Sequence, residues 1–206
     1  MGKLITFSGI DGCGKSTYAT MLKEYYNSKG IDKVVILDAM KGGRYIDELK
    51  KITQQQNIPD IRNMFSPDLI NLAWTADLIY RYEKIVKDYL QKDYYVILHR
   101  SDLCCRVYSR LFGNPEYAII IEKMLDNLDF VPDIRIFLDI DPDLAYGRLI
   151  QRNNSDALSQ KEKLEYLKAA DEIYKDHMSN NSYKNIYVIS VNSNKEMVFN
   201  NILSII

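Results

Sequence analysis

Gly9-Ile10-Asp11-Gly12-Cys13-Gly14-Lys15-Ser16-Thr17 is the strongest pattern in the chain. Its spacing, G-x-x-x-x-G-K-S, is that of a phosphate-binding P-loop. Leu4 to Phe7 before it is a short apolar run with β propensity, and Tyr18 to Asn27 after it repeats apolar residues at helical spacing. The motif therefore lies between a strand and a helix, the context in which it functions. Glycines let the backbone wrap an anion where a Cβ would forbid the dihedrals. Successive N–H groups and the positive end of the new helix then cradle a polyphosphate. This makes Gly9, Asp11, Gly12, Cys13, Gly14, Lys15, Ser16 and Thr17 candidate nucleotide-binding residues. Lys15 is expected on the β/γ-phosphates, and the Ser16 hydroxyl is the candidate Mg²⁺ ligand.

Working outward, Lys33 to Leu37 is a short apolar strand after a break at Gly30. Strand, loop, helix, strand is a βαβ unit and implies a parallel sheet. Lys41 and Arg44 lie in the loop that follows, at the sheet edge where α/β proteins bind ligands, and Tyr45 to Thr53 is expected to be helical. Ser66-Pro67-Asp68 is a helix start, with a capping Ser and Pro at the first position. The helix is expected to run to Gln91. Leu69, Leu72, Ala73, Ala76 and Ile79 share one stripe, assigned to the core, while Ile70, Trp74, Asp77 and Arg81 face elsewhere.

Tyr94 to Leu98 reads as a third strand, followed by His99-Arg100 and a helix bearing Arg106, Tyr108 and Arg110. Asp133 to Asp139 reads as a fourth strand. The helix Pro142 to Arg152 places Arg148 and Arg152 on one face. Asn153 to Ser159 lacks apolar periodicity, and with the flanking arginines it marks a lid at about residues 148–160. A helix at Lys161 to Met178, a strand at Asn185 to Val191 and a last helix capped at Asn192-Ser193-Asn194 complete the pattern. The expectation is a three-layer α/β P-loop kinase fold, residues 1–206 as one domain, with a five-stranded parallel sheet flanked by helices and the first strand central.

The 206 residues carry a net charge of −1, which gives no electrostatic case for nucleic acid or an anionic membrane. No apolar run is long enough to span a bilayer. Three cysteines, two of them adjacent, match neither a disulfide framework nor a zinc spacing. A reducing, cytoplasmic setting is expected.

The residues resemble the thymidylate kinase family over nearly the whole chain. The P-loop with Asp11 is similar to that family's, whose Asp contacts the acceptor sugar. Leu72-Ala73-Trp74-Thr75-Ala76 resembles the segment whose ring stacks on the acceptor base. His99-Arg100 to Tyr108 resembles its Asp-Arg motif and following Tyr, with Arg106 between them. Pro132 to Asp139 and Ala145 to Arg152 resemble its fourth strand and arginine-bearing lid, and Asn192-Ser193 stands where its backbone holds adenine. The resemblance implies ATP and Mg²⁺ as cofactors, a small-molecule nucleotide or nucleoside as acceptor, and a homodimer. It implies catalytic roles for Lys15, Arg100, Arg148 and Arg152. It also implies substrate contacts from Asp11, Trp74, His99, Arg100, Arg106 and Tyr108.

The chain departs from the family pattern in three places. Ala39 replaces a phosphate-binding Arg, with Lys41 or Arg44 as the possible substitute. Leu78 replaces the Arg that reads a thymine carbonyl. His99 replaces an Asp, and a neutral imidazole is a poorer Mg²⁺ partner than a carboxylate. With Leu78 offering no donor, thymidine monophosphate is expected to be a poor substrate, and an amino-bearing base is preferred if Asp77 faces the pocket. Arg81 is the residue able to restore a donor. Alternatives that stay open are a kinase acting on a hydroxyl with His99 as base, and a nucleotide-binding regulator without turnover.

Overall fold

Five parallel strands form one sheet in the order β2-β3-β1-β4-β5, so the strand leading into the P-loop is central, as expected. The fold is taken from a computed structural model that describes residues 2–39, 42–129, 131–153, 159–180 and 183–206. The strands are β1 (Lys3–Ser8), β2 (Val34–Asp38), β3 (Tyr95–His99), β4 (Ile134–Asp139) and β5 (Ile186–Ser190). Between and after them run α1 (Lys15–Ser28), α2 (Arg44–Gln55), α3 (Pro67–Arg81), α4 (Lys87–Gln91), α5 (Asp102–Phe112), α6 (Pro115–Asp126), α7 (Pro142–Asn153), α8 (Leu164–Asn180) and α9 (Lys195–Leu203).

Alternation along the central strands divides the core. Leu4, Val96 and Leu98 pack with Leu78 of α3 and Ile121 and Leu125 of α6 on one face. Ile5, Phe7 and Ile97 pack with Ala19 and Leu22 of α1 and with Val198 and Ile202 of α9 in a second cluster. Two apolar faces on a parallel sheet require helices on both sides, which gives the three layers.

The helix from Ser66 follows the predicted chemistry at its start and departs from it further on. The Ser66 hydroxyl accepts from the Leu69 N–H at 3.3 Å, with Pro67 at the first turn. Helical backbone reaches Gln91, but Tyr82–Val86 winds as a π-helical segment between α3 and α4. The predicted core stripe is displaced. Ala73 is buried as expected, but Leu69 is 42% exposed, while Ile70 and Leu78, outside the predicted stripe, are buried. The reason is that α3 packs between α2 and α5 as well as over the sheet, so burial follows three neighbours rather than one apolar stripe. Helix α6 carries no expectation from the sequence. It is capped by Asn114, whose side chain accepts from the Glu116 N–H, and the Asp68 carboxylate accepts from the Asn114 N–H at 2.7 Å.

Candidate functional site

At the C-terminal edge of the sheet, one cavity of about 1080 Å³ connects the P-loop to α3, α5 and α7. The loop owes its shape to its glycines. Gly9, Gly12 and Gly14 have φ of 137°, 87° and 97°. A Cβ on Gly12 would lie 2.6 Å from the Ala145 carbonyl oxygen, and one on Gly9 the same distance from that of Leu138. The loop is thus pressed against β4 and α7, and no side chain fits at position 12. Lys15 is 4% exposed, and its Nζ donates to the Gly9 and Ile10 carbonyls at 2.9 and 2.7 Å. It lies 3.8 Å from the Asp11 carboxylate. Gly12, Gly14, Lys15, Ser16 and Thr17 line the cavity. The Cys13 thiol is buried behind the loop, and burial pushes its pKa up, so it stays protonated.

The strand ends bring a second group of side chains to the same cavity. Arg100 follows β3 with φ 70°, a left-handed conformation uncommon for a side-chain-bearing residue. Its N–H donates to the Phe7 carbonyl, and its guanidinium meets the Asp11 carboxylate at 2.5 Å. The Ser8 and Ser101 hydroxyls, 2.9 Å apart, tie the β1 end to the start of α5. Burial disfavours the Arg100 charge, but Asp11 together with Tyr108, Cys104 and Tyr174 outweighs it, and the pKa is held above its ordinary value. His99 Nδ1 lies 3.3 Å from the Asp38 carboxylate of the neighbouring strand. Burial, with Lys15 and Arg100 nearby, lowers the His99 pKa although Asp38 opposes the shift. The imidazole is therefore neutral at pH 7 in the free protein.

Beyond this cluster the cavity becomes aromatic. Ile70, Asn71 and Trp74 of α3 line it with Cys105, Tyr108 and Phe112 of α5, and Arg62 stands at its edge. The Tyr108 and Phe112 rings are stacked, with planes 3° apart. Burial and the charge of Asp11 raise the Tyr108 pKa well above its usual value, so the phenol is protonated. Arg148 and Arg152 of α7, with Gln160, Glu162, Ser193 and Lys195, also line the cavity. Arg148 donates to the Val191 carbonyl at 3.0 Å, and Arg152 lies 3.2 Å from Glu162.

Of the predicted residues, Asp11, Lys15, Ser16, Trp74, His99, Arg100, Tyr108, Arg148, Arg152 and Ser193 come together around this cavity. Others do not. Asp77 is 1% exposed, and its two carboxylate oxygens accept from the Tyr45 and Ile46 N–H groups, both at 3.0 Å. It caps α2 instead of reading a ligand. Arg44 stacks on Tyr80 at 4.5 Å. Arg81 donates to the Gly42 carbonyl. Arg106 turns to the far side of α5, with Asp126 at 2.8 Å and Asp102 at 3.9 Å. The Asn192 side chain accepts from the Asp141 N–H. Lys41 and the centre of the Asn153 to Ser159 stretch lie outside the described residues. Sequence reasoning missed Asp38, Asn71, Arg62 and Phe112. The signal for Asp38 was its place as last residue of β2, beside the end of β3.

A parallel sheet with a P-loop after its central strand, a buried lysine over that loop and arginines converging on one cavity define a P-loop phosphotransferase. The family model described as thymidylate kinase matches residues 7–202. The thymidylate kinase of Blochmanniella pennsylvanica (strain BPEN) is 28% identical over 201 residues, covering 95% of this chain and 91% of that protein. The thymidylate kinase of Rickettsia typhi (strain ATCC VR-144 / Wilmington) is 30% identical over 164 residues, 78% of this chain and 75% of its own length. The crystal structure of thymidylate kinase from Ehrlichia chaffeensis superposes with a TM-score of 0.68 at 21% identity, covering 99% of this chain and 97% of that one, and shows the same fold. The chain belongs to the thymidylate kinase family. It is an enzyme that transfers a phosphoryl group from ATP to a nucleoside monophosphate.

Proposed function

We propose that the acceptor is thymidine monophosphate. The observation that carries this reading is the continuity of the cavity from the P-loop to the Trp74, Tyr108 and Phe112 aromatics, which supports a donor polyphosphate and an acceptor base sharing it. The names of the relatives support the choice of base. The expected preference for an amino-bearing base required Asp77 in the cavity, but Asp77 caps α2, and Leu78, from whose lack of a donor a poor fit to thymine was expected, packs in the core against Leu4 and Val96 and does not line the cavity. A monophosphate acceptor needs no general base. Catalysis is in-line positioning plus neutralisation of charge by Lys15, Arg100, Arg148 and Arg152.

Ser16 is exposed and lines the cavity, and its hydroxyl would hold a Mg²⁺ ion. Such an ion would neutralise charge on the donor phosphates. Asp11 orients Arg100, and Ser193 bounds the adenine end. Residues 1–206 form one kinase domain. Its lid at about residues 148–160 is supported by Arg148, Arg152 and Gln160 on the cavity wall. Among the described residues no helix is long and apolar enough to cross a membrane, in keeping with the cytoplasmic setting proposed here. A homodimer is proposed from the resemblance, and sedimentation at micromolar concentration tests it: a monomer there removes it. Steady-state ADP release with thymidine, cytidine and adenosine monophosphates, and with the free nucleosides, tests the acceptor. Thymidine monophosphate is expected to give the highest kcat/KM, and a higher value for any other acceptor refutes the assignment.

A further inference from the structure

Asp38 and His99 are Cα partners at the ends of adjacent parallel strands, their side chains meet at 3.3 Å, and both line the cavity. A carboxylate at that distance takes the Nδ1–H and leaves Nε2 for a ligand. The described charged groups around the imidazole are Asp38 from β2, Lys15 from α1 and Arg100 from the turn after β3, with Asp11 of the P-loop bound to Arg100. Two carboxylates face two permanent cations, so this end of the cavity is formally neutral while His99 is neutral. A phosphate monoester carries about −1.5 to −2 charge near neutral pH. Placing that charge in a partly buried, formally neutral pocket is unfavourable unless a counter-charge appears. Within this set, His99 alone has an ordinary pKa close to neutrality.

We propose that the Asp38–His99 pair is a proton-accepting element of the acceptor subsite: arrival of the monophosphate dianion draws a proton from solvent onto His99. The imidazolium then lies between two anions, Asp38 and the phosphate, as a further cation beside Arg100. The inference rests on the nucleoside monophosphate reading. The sign follows from the linkage. The pKa of the bound state is raised, so the affinity this group contributes is full at lower pH and is lost as pH rises through the bound-state pKa. Below about pH 6 the acceptor itself becomes a monoanion, and the attraction fades.

The chain holds only two histidines, which makes the measurement direct. His177 is buried against the Tyr183 hydroxyl, away from the cavity, and serves as an internal reference. Ring resonances are titrated by NMR in the ATP-free protein alone, with saturating thymidine monophosphate, and with saturating thymidine as the phosphate-free control. The His99 pKa is expected to rise by about 1–3 pH units with the monophosphate. It is expected to stay in place with thymidine, and His177 to stay in place throughout. Calorimetry in two buffers of different ionisation enthalpy should show proton uptake with thymidine monophosphate. In His99→Gln the uptake should vanish and acceptor affinity should fall about tenfold or more, with ATP affinity retained. No rise in the His99 pKa, an equal rise with thymidine, or uptake that persists in His99→Gln overturns the proposal. Turnover of thymidine that climbs with pH while the monophosphate leaves His99 neutral overturns it in favour of a general base. Failure of the underlying reading looks different: no monophosphate binds or releases ADP, and both fall together.

Discussion

Asp77→Ala separates a structural carboxylate from a base-reading one. Both Asp77 oxygens accept backbone N–H groups at the start of α2, at 3.0 Å each, from a side chain that is 1% exposed. Loss of a capping side chain costs about 0.5–2 kcal/mol. The Ile46 N–H belongs to a fully buried residue, and a buried donor left without its partner adds about 1–3 kcal/mol. Removing a negative charge from a helix N-terminus adds about 0.3–1 kcal/mol. These overlap, and about 3 kcal/mol is a fair central value for the whole substitution. For a chain of this size each kcal/mol moves Tm by about 2–4 °C, so Tm should fall by about 6–12 °C. Asp77→Asn keeps one acceptor oxygen and should lose about half as much. Differential scanning calorimetry and urea unfolding measure the loss. Kinetics on thymidine, cytidine and adenosine monophosphates, run well below the mutant Tm, should show unchanged ratios of kcat/KM. A mutant as stable as the parent with an altered base preference would refute the capping argument. Gly43→Ala provides a check from the other side, because its Cβ would lie 2.1 Å from Asp77 Oδ2 and displace the same carboxylate.

Lys15→Ala should cut kcat by about 10²–10³-fold, since the lost charge acts on the transferring phosphoryl group; near-parental turnover from folded mutant protein would undo the P-loop assignment. Gly12→Ala should lower both stability and turnover, by about 1–3 kcal/mol in stability, because φ 87° and the Ala145 carbonyl oppose a side chain; a melting curve superimposable on the parent's would contradict this. Arg148→Gln and Arg152→Gln should each lower kcat more than they weaken ATP binding, and a pure KM effect in both would count against their phosphoryl-facing role.

The P-loop, the order of strands and helices, and the caps at Ser66 and Asn194 are local properties. They depend on glycine dihedrals, hydrogen bonds across a few residues and apolar period, all of which neighbouring residues supply. The cavity residues at strand ends were legible for a related reason: in a parallel sheet the loops after the strands share one edge, so Lys15, His99 and Arg100 had to converge. Side chains in the middle of helices were another matter. Asp77 and Trp74 lie within one turn of α3, yet one caps another helix and the other faces the cavity. Helical spacing sets the angle between them but not which neighbour each angle meets. Arg106 shares a helix with the cavity-lining Tyr108, but it turns to Asp126 of α6, a contact set by how the two helices pack. The Asp38–His99 pair needed the register of β2 on β3, because a shift of one residue sends a side chain to the opposite face of the sheet. Chain-local chemistry thus placed the phosphate site. Which carboxylates serve ligands and which serve the fold followed from packing between elements distant in sequence.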